Sequence, residues 1–352
     1  MGSLSQATAT APDSDFTLTE TQKAQFLERG YVKIPACFTR AQAADFTSKI
    51  WTRLGKSPTD KSTWGDIERI NMAWHLHVPA EKFAPKAWSA MCQLLGGEDK
   101  IQEGMFRSWS DGFIVNFGRD EFDGMSKEDM EKSSLRDLDG WHNDGDFFVH
   151  FLDSPEQALL VIPLWSDIEP HGGGTALACD GIKHIAQYMV PSLLSPLKKT
   201  LLIMLKYEHP EGVTPWMRSL NDPTHSSYEG REFWQALAAD KTKISDDCFV
   251  EATGQIGDVY LLHPFMLHSA SRNYLRIPRI ITNPPVSLKE PFKLWREDGN
   301  YSLVEQKTLK DLGKPEGIKD WKITKERMGW VSNRVKRQEK MREQERLRLG
   351  GV

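Results

Sequence analysis

Between Gly112 and Pro285 the sequence is broken into short β-forming runs, each closed by a turn signal. No other pattern in the chain limits its fold as strongly. Gly112-Phe113-Ile114-Val115-Asn116-Phe117-Gly118 is one such run, bounded by glycines. Ala158 to Trp165 is another, and it is apolar on both faces, as a strand buried between two layers must be. Gly172-Gly173-Gly174-Thr175 forms a tight turn into Ala176-Leu177-Ala178, and Leu201 to Leu205 is a further apolar run. Gly254 to Asp258 turns into a strand at Val259 to His263. Pro264 separates this from Met266 to Ser269, and Arg279 to Thr282 is stopped by Asn283-Pro284-Pro285. Short strands with turns at regular spacing predict a β-sandwich or barrel.

Helices are expected before these strands. Thr17 or Thr19 can cap one, with Glu20 three residues after Thr17 as a capping box requires. Tyr31 to Ile34 then reads as a strand. A second helix is expected from about Thr39 to Leu54, because Phe46, Ile50 and Leu54 recur at i, i+4 and i+8. A third is expected near Ala84 to Leu95. Arg119 to Asp139 is highly charged and reads as a surface loop with a helical turn at Lys127 to Lys132. Glu208 to Asp247 carries three prolines and a short amphipathic stretch at Glu232 to Leu237, and reads as a surface insertion. Met1 to Asp15 is small and polar, a disordered tail. Asn333 to Leu349 is helical and basic with interleaved glutamates; i,i+4 ion pairs make it a solvated terminal helix rather than a nucleic-acid or membrane contact. No composition shift divides residues 16–330, which are expected to form one domain ahead of the basic helix at 331–352.

Composition excludes several classes. Hydrophobic content of 39% and charged content of 27% are a globular balance, and a net charge of -4 gives no electrostatic case for nucleic acid. Cys37, Cys92, Cys179 and Cys248 are scattered without a C-x-x-C pair, which fits a reducing compartment. No apolar run reaches the length of a membrane helix. The N-terminal stretch has no signal pattern, and Gln6 breaks a myristoylation motif. The expected location is cytoplasmic, and a homodimer stays open.

The chemistry begins at Gly140-Trp141-His142-Asn143-Asp144-Gly145-Asp146. On an extended strand, residues i and i+2 project to one face, so His142 and Asp144 would point side by side into one cavity. A second imidazole would complete a two-histidine, one-carboxylate face, the donor set of non-haem Fe(II) with open positions for oxygen chemistry. His263 and His268 are both candidates. Arg279 separates them, because a 2-oxo acid on the metal needs a cation at its far carboxylate and a guanidinium pairs with it in two parallel hydrogen bonds. Arg279 follows His268 after enough chain for a turn and a return strand. The arginines correspondingly placed after His263, Arg272 and Arg276, fall in that turn, so His268 is favoured and His263 reads as a core histidine.

His142-x-Asp144, then Gly257-Asp258 leading to His268, Asn273 and Arg279, together resemble the phytanoyl-CoA dioxygenase family of Fe(II)- and 2-oxoglutarate-dependent oxygenases, in a fungal-type natural-product branch. Leu18-Thr19 with Gly30-Tyr31-Val32, and Gly173-Gly174-Thr175 with His184, extend the resemblance over about Thr17 to Pro285. It implies a mainly β fold with flanking helices around a double-stranded β-helix, a jelly roll. It implies His142, Asp144 and His268 as iron ligands and catalytic residues, and Arg279 at the far carboxylate of 2-oxoglutarate. Trp165 would stand beside the cosubstrate or be an ordinary core tryptophan. Thr175 would touch the cosubstrate or be a turn residue, and Asn116 would line the site or be structural. Ala270 departs from the pattern where some members have a serine for the cosubstrate; Ser269 or Ser271 could substitute.

The implied reaction consumes O2 and 2-oxoglutarate, releases succinate and CO2, and oxidises a C–H of a small metabolite or natural-product intermediate. Hydroxylation is the default; desaturation, epoxidation and ring closure stay open. Trp141, Phe147, Phe148 and Phe151 would line an apolar pocket or belong to the core. Rival readings are an iron oxygenase that needs no 2-oxo acid and an inactive jelly-roll binding module. A hydrolytic zinc site lacks a glutamate base placed as in H-E-x-x-H.

Overall fold

The described strands pair only antiparallel, in four separate groups. The computed structural model describes residues 16–145, 147, 148, 150–189, 228–319, 321, 323, 327, 329 and 333–349. The expected tail at 1–15, the run Leu201 to Leu205 and residues 208–227 lie outside these. In chain order the strands are β1 (Tyr31–Ile34), β2 (Arg69–Asn71), β3 (His77–Pro79), β4 (Ser108–Ser110), β5 (Ile114–Asn116) and β6 (Leu159–Pro163), followed by β7 (Thr175–Ala178), β8 (Phe249–Ala252), β9 (Val259–Leu262), β10 (Leu267–Ala270), β11 (Arg279–Ile281) and β12 (Pro285–Val286). One sheet has the order β1-β9-β6-β12, a second β10-β7-β8, a third β11-β5-β2, and β3 pairs with β4.

The expectation of a mainly β jelly roll is corrected here. Helical residues outnumber strand residues roughly two to one, and no closed barrel forms among the described residues. The protein is a mixed α/β structure with several small antiparallel sheets. Turn signals mark where strands stop, but they carry no information on how much helix lies between them. The Leu303–Asp311 helix, capped by Ser302 with Glu305 in a capping box, has no counterpart in the sequence reading.

The sheet β1-β9-β6-β12 separates two hydrophobic clusters, and the period-2 alternation of strands explains how. Leu159, Val161, Val259 and Leu261 face one cluster with Phe26, Val32, Trp109 and Val115. Leu160, Ile162, Tyr260 and Leu262 face the other, with Leu177, Ile182 and Met266. Every residue of β6 and β9 is therefore buried, as the doubly apolar run at 158–165 requires.

The N-terminal helix spans Glu20–Arg29, and its capping box is Thr19 with Gln22, two residues later than the Thr17–Glu20 alternative. Gly30 ends it at φ 73, and a Cβ there would lie 2.0 Å from Ile182 Cδ1, so glycine is favoured at the link from this helix to β1. The stretch at 39–54 is two helices, Arg40–Thr47 and Ile50–Leu54, interrupted at Ser48 and Lys49. Pro85–Leu95 starts with proline at its first turn and buries Trp88, Met91, Leu94 and Leu95 on one face.

Two surface assignments change. The described part of the 208–247 region includes the helix Tyr228–Ala239, which buries Trp234, Leu237 and Ala238 in the second cluster alongside Ile244. The amphipathic stretch is thus a core-facing stripe. The terminal helix, Asn333–Arg348, keeps its charged outer face but buries Gln338 and Glu345. The Glu345 carboxylate accepts from Arg53 Nε at 3.2 Å and sits 2.8 Å from His75 Nε2, while Arg53 Nη1 reaches Asp111 Oδ2 at 2.9 Å. Hydrophobic periodicity cannot reveal such a seam, because both of its faces are polar. No described helix is long and apolar enough to cross a membrane.

Glu345→Ala would leave Arg53, only 7% exposed, with one carboxylate in place of two. It is expected to lower stability by about 2–4 kcal/mol in urea denaturation. Glu343→Ala, on the exposed face, is expected to stay within about 0.5 kcal/mol.

Two core histidines set an acid limit. Burial pushes His150 down to about 3, and it holds His263 well below the ordinary histidine range. Below about pH 6.5 the unfolded chain therefore binds protons that the folded chain refuses, and stability falls as pH falls. Each histidine is expected to remove about 1 kcal/mol between pH 7 and 5.5. In denaturant titrations at the two pH values, His150→Phe should shrink the measured difference by that amount; an unchanged difference would rule out His150 as a source.

Candidate metal centre

Two backbone hydrogen bonds assemble the site. His142 N–H donates to His268 O at 2.9 Å and His268 N–H donates to His142 O at 3.0 Å. A reciprocal antiparallel pair places its two side chains opposite each other on one face. The ring centroids are 4.2 Å apart. His268 belongs to β10, whereas His142 makes a single bridge and Asp144 lies in a bend, so the expected strand through the H-x-D motif is not formed. The i, i+2 spacing still brings Asp144 to the imidazoles. Its Oδ1 is 3.4 Å from His142 Nε2 and its Oδ2 is 3.7 Å from His268 Nε2. Gly145 follows at φ 120, a left-handed position that turns the chain away after the carboxylate.

Local carbonyls orient both rings. His142 Nδ1 lies 2.7 Å from Gly140 O, and His268 Nδ1 lies 2.9 Å from Met266 O. A carbonyl only accepts, so each Nδ1 carries the proton and each Nε2 presents a lone pair inward. Burial and the neighbouring His142 push His268 down to about 4, against the pull of Asp144, so its ring is neutral at pH 7. Two neutral imidazoles and one carboxylate, with donor atoms all within 4.8 Å of one another, can hold a divalent cation. The donor types fit Fe(II) with open coordination positions.

His263 is a core residue, as expected. It is buried, its Nδ1 accepts from Phe265 N–H at 3.1 Å, and its Nε2 lies 2.9 Å from Thr308 Oγ1. Arg279 sits in β11 opposite Asn116 of β5. Its side chain is 1% exposed; Nε donates to Gly173 O at 2.6 Å and Nη1 to Ile114 O at 3.4 Å. Among the described residues no carboxylate pairs with it. Burial and the nearby Arg69 push the guanidinium down to about 9, with Glu251 opposing.

The other candidates are engaged locally. Asn116 is fully buried: its Nδ2 donates to Ser271 O at 3.2 Å, and its Oδ1 accepts from Gly118 N–H at 2.9 Å. Trp165 packs at a tilt against Phe38, Phe46 and Phe83 and donates from Nε1 to Thr282 Oγ1 at 3.0 Å. Thr175 is buried at the start of β7, between Ala270 and Ala252 in the ladder. Trp141, Phe148 and Phe151 are core residues, while Phe147 is half-buried.

Glu251 is missing from the sequence reading. Its carboxylate accepts from His171 N–H at 2.8 Å, Gly174 N–H at 2.9 Å and Ser271 Oγ at 2.6 Å. It thereby holds the glycine turn whose Gly173 carbonyl receives Arg279. Gly173 has φ 81, and a Cβ would come 2.7 Å from Asn273 Cβ. A lone glutamate within a β run gives no sequence signal for this role. A surface cleft of about 800 Å³ lies elsewhere, between Lys23, Gln93, Lys100 and Arg296, and shares no residue with the triad.

No protein-family model and no curated protein matches the sequence. Solved structures do. The chain is similar to the non-heme alpha ketoglutarate dependent carbocyclase SnoK from nogalamycin biosynthesis, at 15% identity and TM-score 0.39, over 78% of this chain and 85% of that one. It is similar to HygX from Streptomyces hygroscopicus with nickel and 2-oxoglutarate bound, at 13% identity and TM-score 0.37, over 80% and 91%. It is also similar to EctD from S. alaskensis with 2-oxoglutarate and 5-hydroxyectoine, at 14% identity and TM-score 0.34, over 78% and 76%. All three scores lie below 0.5, so the likeness assigns this chain no reaction.

Calorimetric titration with Mn(II) checks the centre. His142→Ala, Asp144→Ala and His268→Ala are each expected to weaken binding by about 100-fold or more, since outer partners of metal ligands alone are worth 10- to 100-fold. His77→Gln, an exposed histidine outside the triad, should bind as the parent does.

Proposed function

We propose that this protein is a non-haem Fe(II)- and 2-oxoglutarate-dependent oxygenase that oxidises a C–H of a small metabolite or natural-product intermediate. The observation that carries the reading is the pairing of the His142, Asp144, His268 cluster with Arg279, a buried guanidinium that has no carboxylate partner among the described residues. A buried charge that no carboxylate pairs with directly is costly, so a site that keeps one is suited to an anionic ligand.

His142, Asp144 and His268 would hold the iron. When bound, it supplies O2 activation coupled to oxidative decarboxylation of 2-oxoglutarate to succinate and CO2. The chain's own contribution is orientation and charge. The Gly140 and Met266 carbonyls keep both Nδ1 atoms protonated, so that both Nε2 atoms stay available as ligands. Arg279, aimed by the Gly173 carbonyl, would bind the far carboxylate of 2-oxoglutarate in a water-poor site, where a charge-assisted hydrogen bond is strongest. Glu251 keeps that glycine turn in place. Thr175, Trp165 and Asn116 would line or support the cosubstrate region. Their observed hydrogen bonds and packing favour support.

Fe(II) and 2-oxoglutarate added without oxygen to the purified protein are expected to give the weak visible charge-transfer band of the chelate. His268→Ala should abolish the band. Arg279→Gln should raise the 2-oxoglutarate concentration needed for half-formation by roughly 10- to 100-fold, the worth of a hydrogen bond to a charged group. An iron-loaded, folded protein with no band would exclude 2-oxoglutarate as the cosubstrate and favour an iron oxygenase that needs no 2-oxo acid.

A further inference from the structure

The sheet that carries Arg279 also carries a second arginine in the same row. Asn116 pairs with Arg279 on one side and with Arg69 of β2 on the other. Residues directly opposite in antiparallel ladders project to the same face. Arg69, Asn116 and Arg279 therefore stand side by side on one face. The opposite face, through Ile70, Val115 and Ile280, packs into the first hydrophobic cluster.

The two arginines differ in exposure and share a deficit. Arg279 is buried, whereas Arg69 and its neighbour Asn71 are exposed, so the row runs from the interior to an open rim. Among the described residues Arg69 makes no side-chain hydrogen bond, ion pair or ring contact, a state shared among the arginines only by the exposed Arg337 and Arg348 of the terminal helix, which lie on no sheet. Two other surface arginines beside the sheets find carboxylates: Arg40 pairs with Asp167 at 2.8 Å, and Arg119 with Glu68 at 3.0 Å. Arg69 instead stands close enough to Arg279 for its charge to disfavour protonation there. Two like charges on one sheet face, neither ion-paired to a carboxylate and with Glu251 acting on Arg279 only through space, repel each other, and an anion that joined them would relieve the repulsion.

We propose that Arg69 is a second carboxylate-binding cation of this pocket, acting with Arg279 across Asn116 as a two-guanidinium row. This rests on the reading of the pocket as a 2-oxoglutarate site and extends it to a residue outside the triad-and-anchor set. The carboxylate has two possible sources, the far end of 2-oxoglutarate or an acidic primary substrate that enters at the rim.

Two binding measurements on the full chain, loaded with Mn(II), separate the sources. The first titrates 2-oxoglutarate and 2-oxobutyrate, which lacks the far carboxylate, into the parent, Arg69→Gln, Arg69→Lys and Arg279→Gln. The second titrates benzoate and its neutral counterpart benzamide, with and without saturating 2-oxoglutarate. If Arg69 meets the cosubstrate, Arg69→Gln weakens 2-oxoglutarate by about 3- to 10-fold, leaves 2-oxobutyrate unchanged, and is partly rescued by Arg69→Lys. If it meets an acidic substrate, Arg69→Gln weakens benzoate but not benzamide with 2-oxoglutarate in place. Arg69→Gln without effect on either carboxylate, in a protein that melts like the parent, overturns the proposal. Failure of the cosubstrate reading looks different: the parent does not bind 2-oxoglutarate, or Arg279→Gln binds it unchanged. The benzoate titration without 2-oxoglutarate still tests Arg69 in that case, and an unchanged benzoate affinity then overturns the proposal.

Discussion

The reciprocal backbone pair between His142 and His268 is the contact on which the site depends. Without it, the H-x-D segment has no ladder to hold it, because the chain around His142 forms no strand of its own. The pair sets the distance between the imidazoles, and carbonyls two residues upstream of each histidine set their rotation. Long-range pairing and short-range orientation are thus separate devices, and the converging Nε2 atoms need both.

Buried charge is handled in two opposite ways in this protein. Arg53 is buried between Asp111 and Glu345 and ties the terminal helix to the N-terminal layer. Its charge is answered within the fold, which suits a structural seam. Arg279 is buried as deeply, yet among the described residues it has only carbonyl oxygens as acceptors. A carbonyl satisfies a donor without neutralising the charge. That asymmetry separates the two cations: Arg53 is neutralised by carboxylates within the fold, and Arg279 is hydrogen-bonded without being neutralised by a paired carboxylate. The same lack of a paired carboxylate recurs at Arg69, two strands away across Asn116.

The legible parts of the structure share a physical basis. Runs that pack on both sides, such as 158–165 and 259–262, show as unbroken apolar stretches, and both are central strands. The helices Glu20–Arg29 and Pro85–Leu95 announce themselves through caps, proline and a single apolar face. What was not legible is polar or cooperative. The Arg53–Glu345 seam has no apolar signature, and the helix at Tyr228–Ala239 joins the core through a stripe too short to identify among prolines. The balance of helix to strand is illegible for a related reason: strands announce themselves as bounded apolar runs, whereas short helices with weak periodicity leave no such mark.

The sequence by itself determined the chemical inventory. It marked His142 and Asp144 as neighbours two residues apart, preferred His268 to His263 through the position of Arg279, and left His263 to the core. These conclusions need only residue type and spacing, because ligand chemistry and ladder periodicity are local properties. The tertiary structure alone decided which groups face one another. Strand pairing put His268 opposite His142 and set Arg69, Asn116 and Arg279 in one row. It committed the Asn116 amide to the backbone and gave Glu251 the glycine turn to hold. Register, burial and the presence or lack of a counter-charge depend on segments far apart in the chain, and no local pattern encodes them.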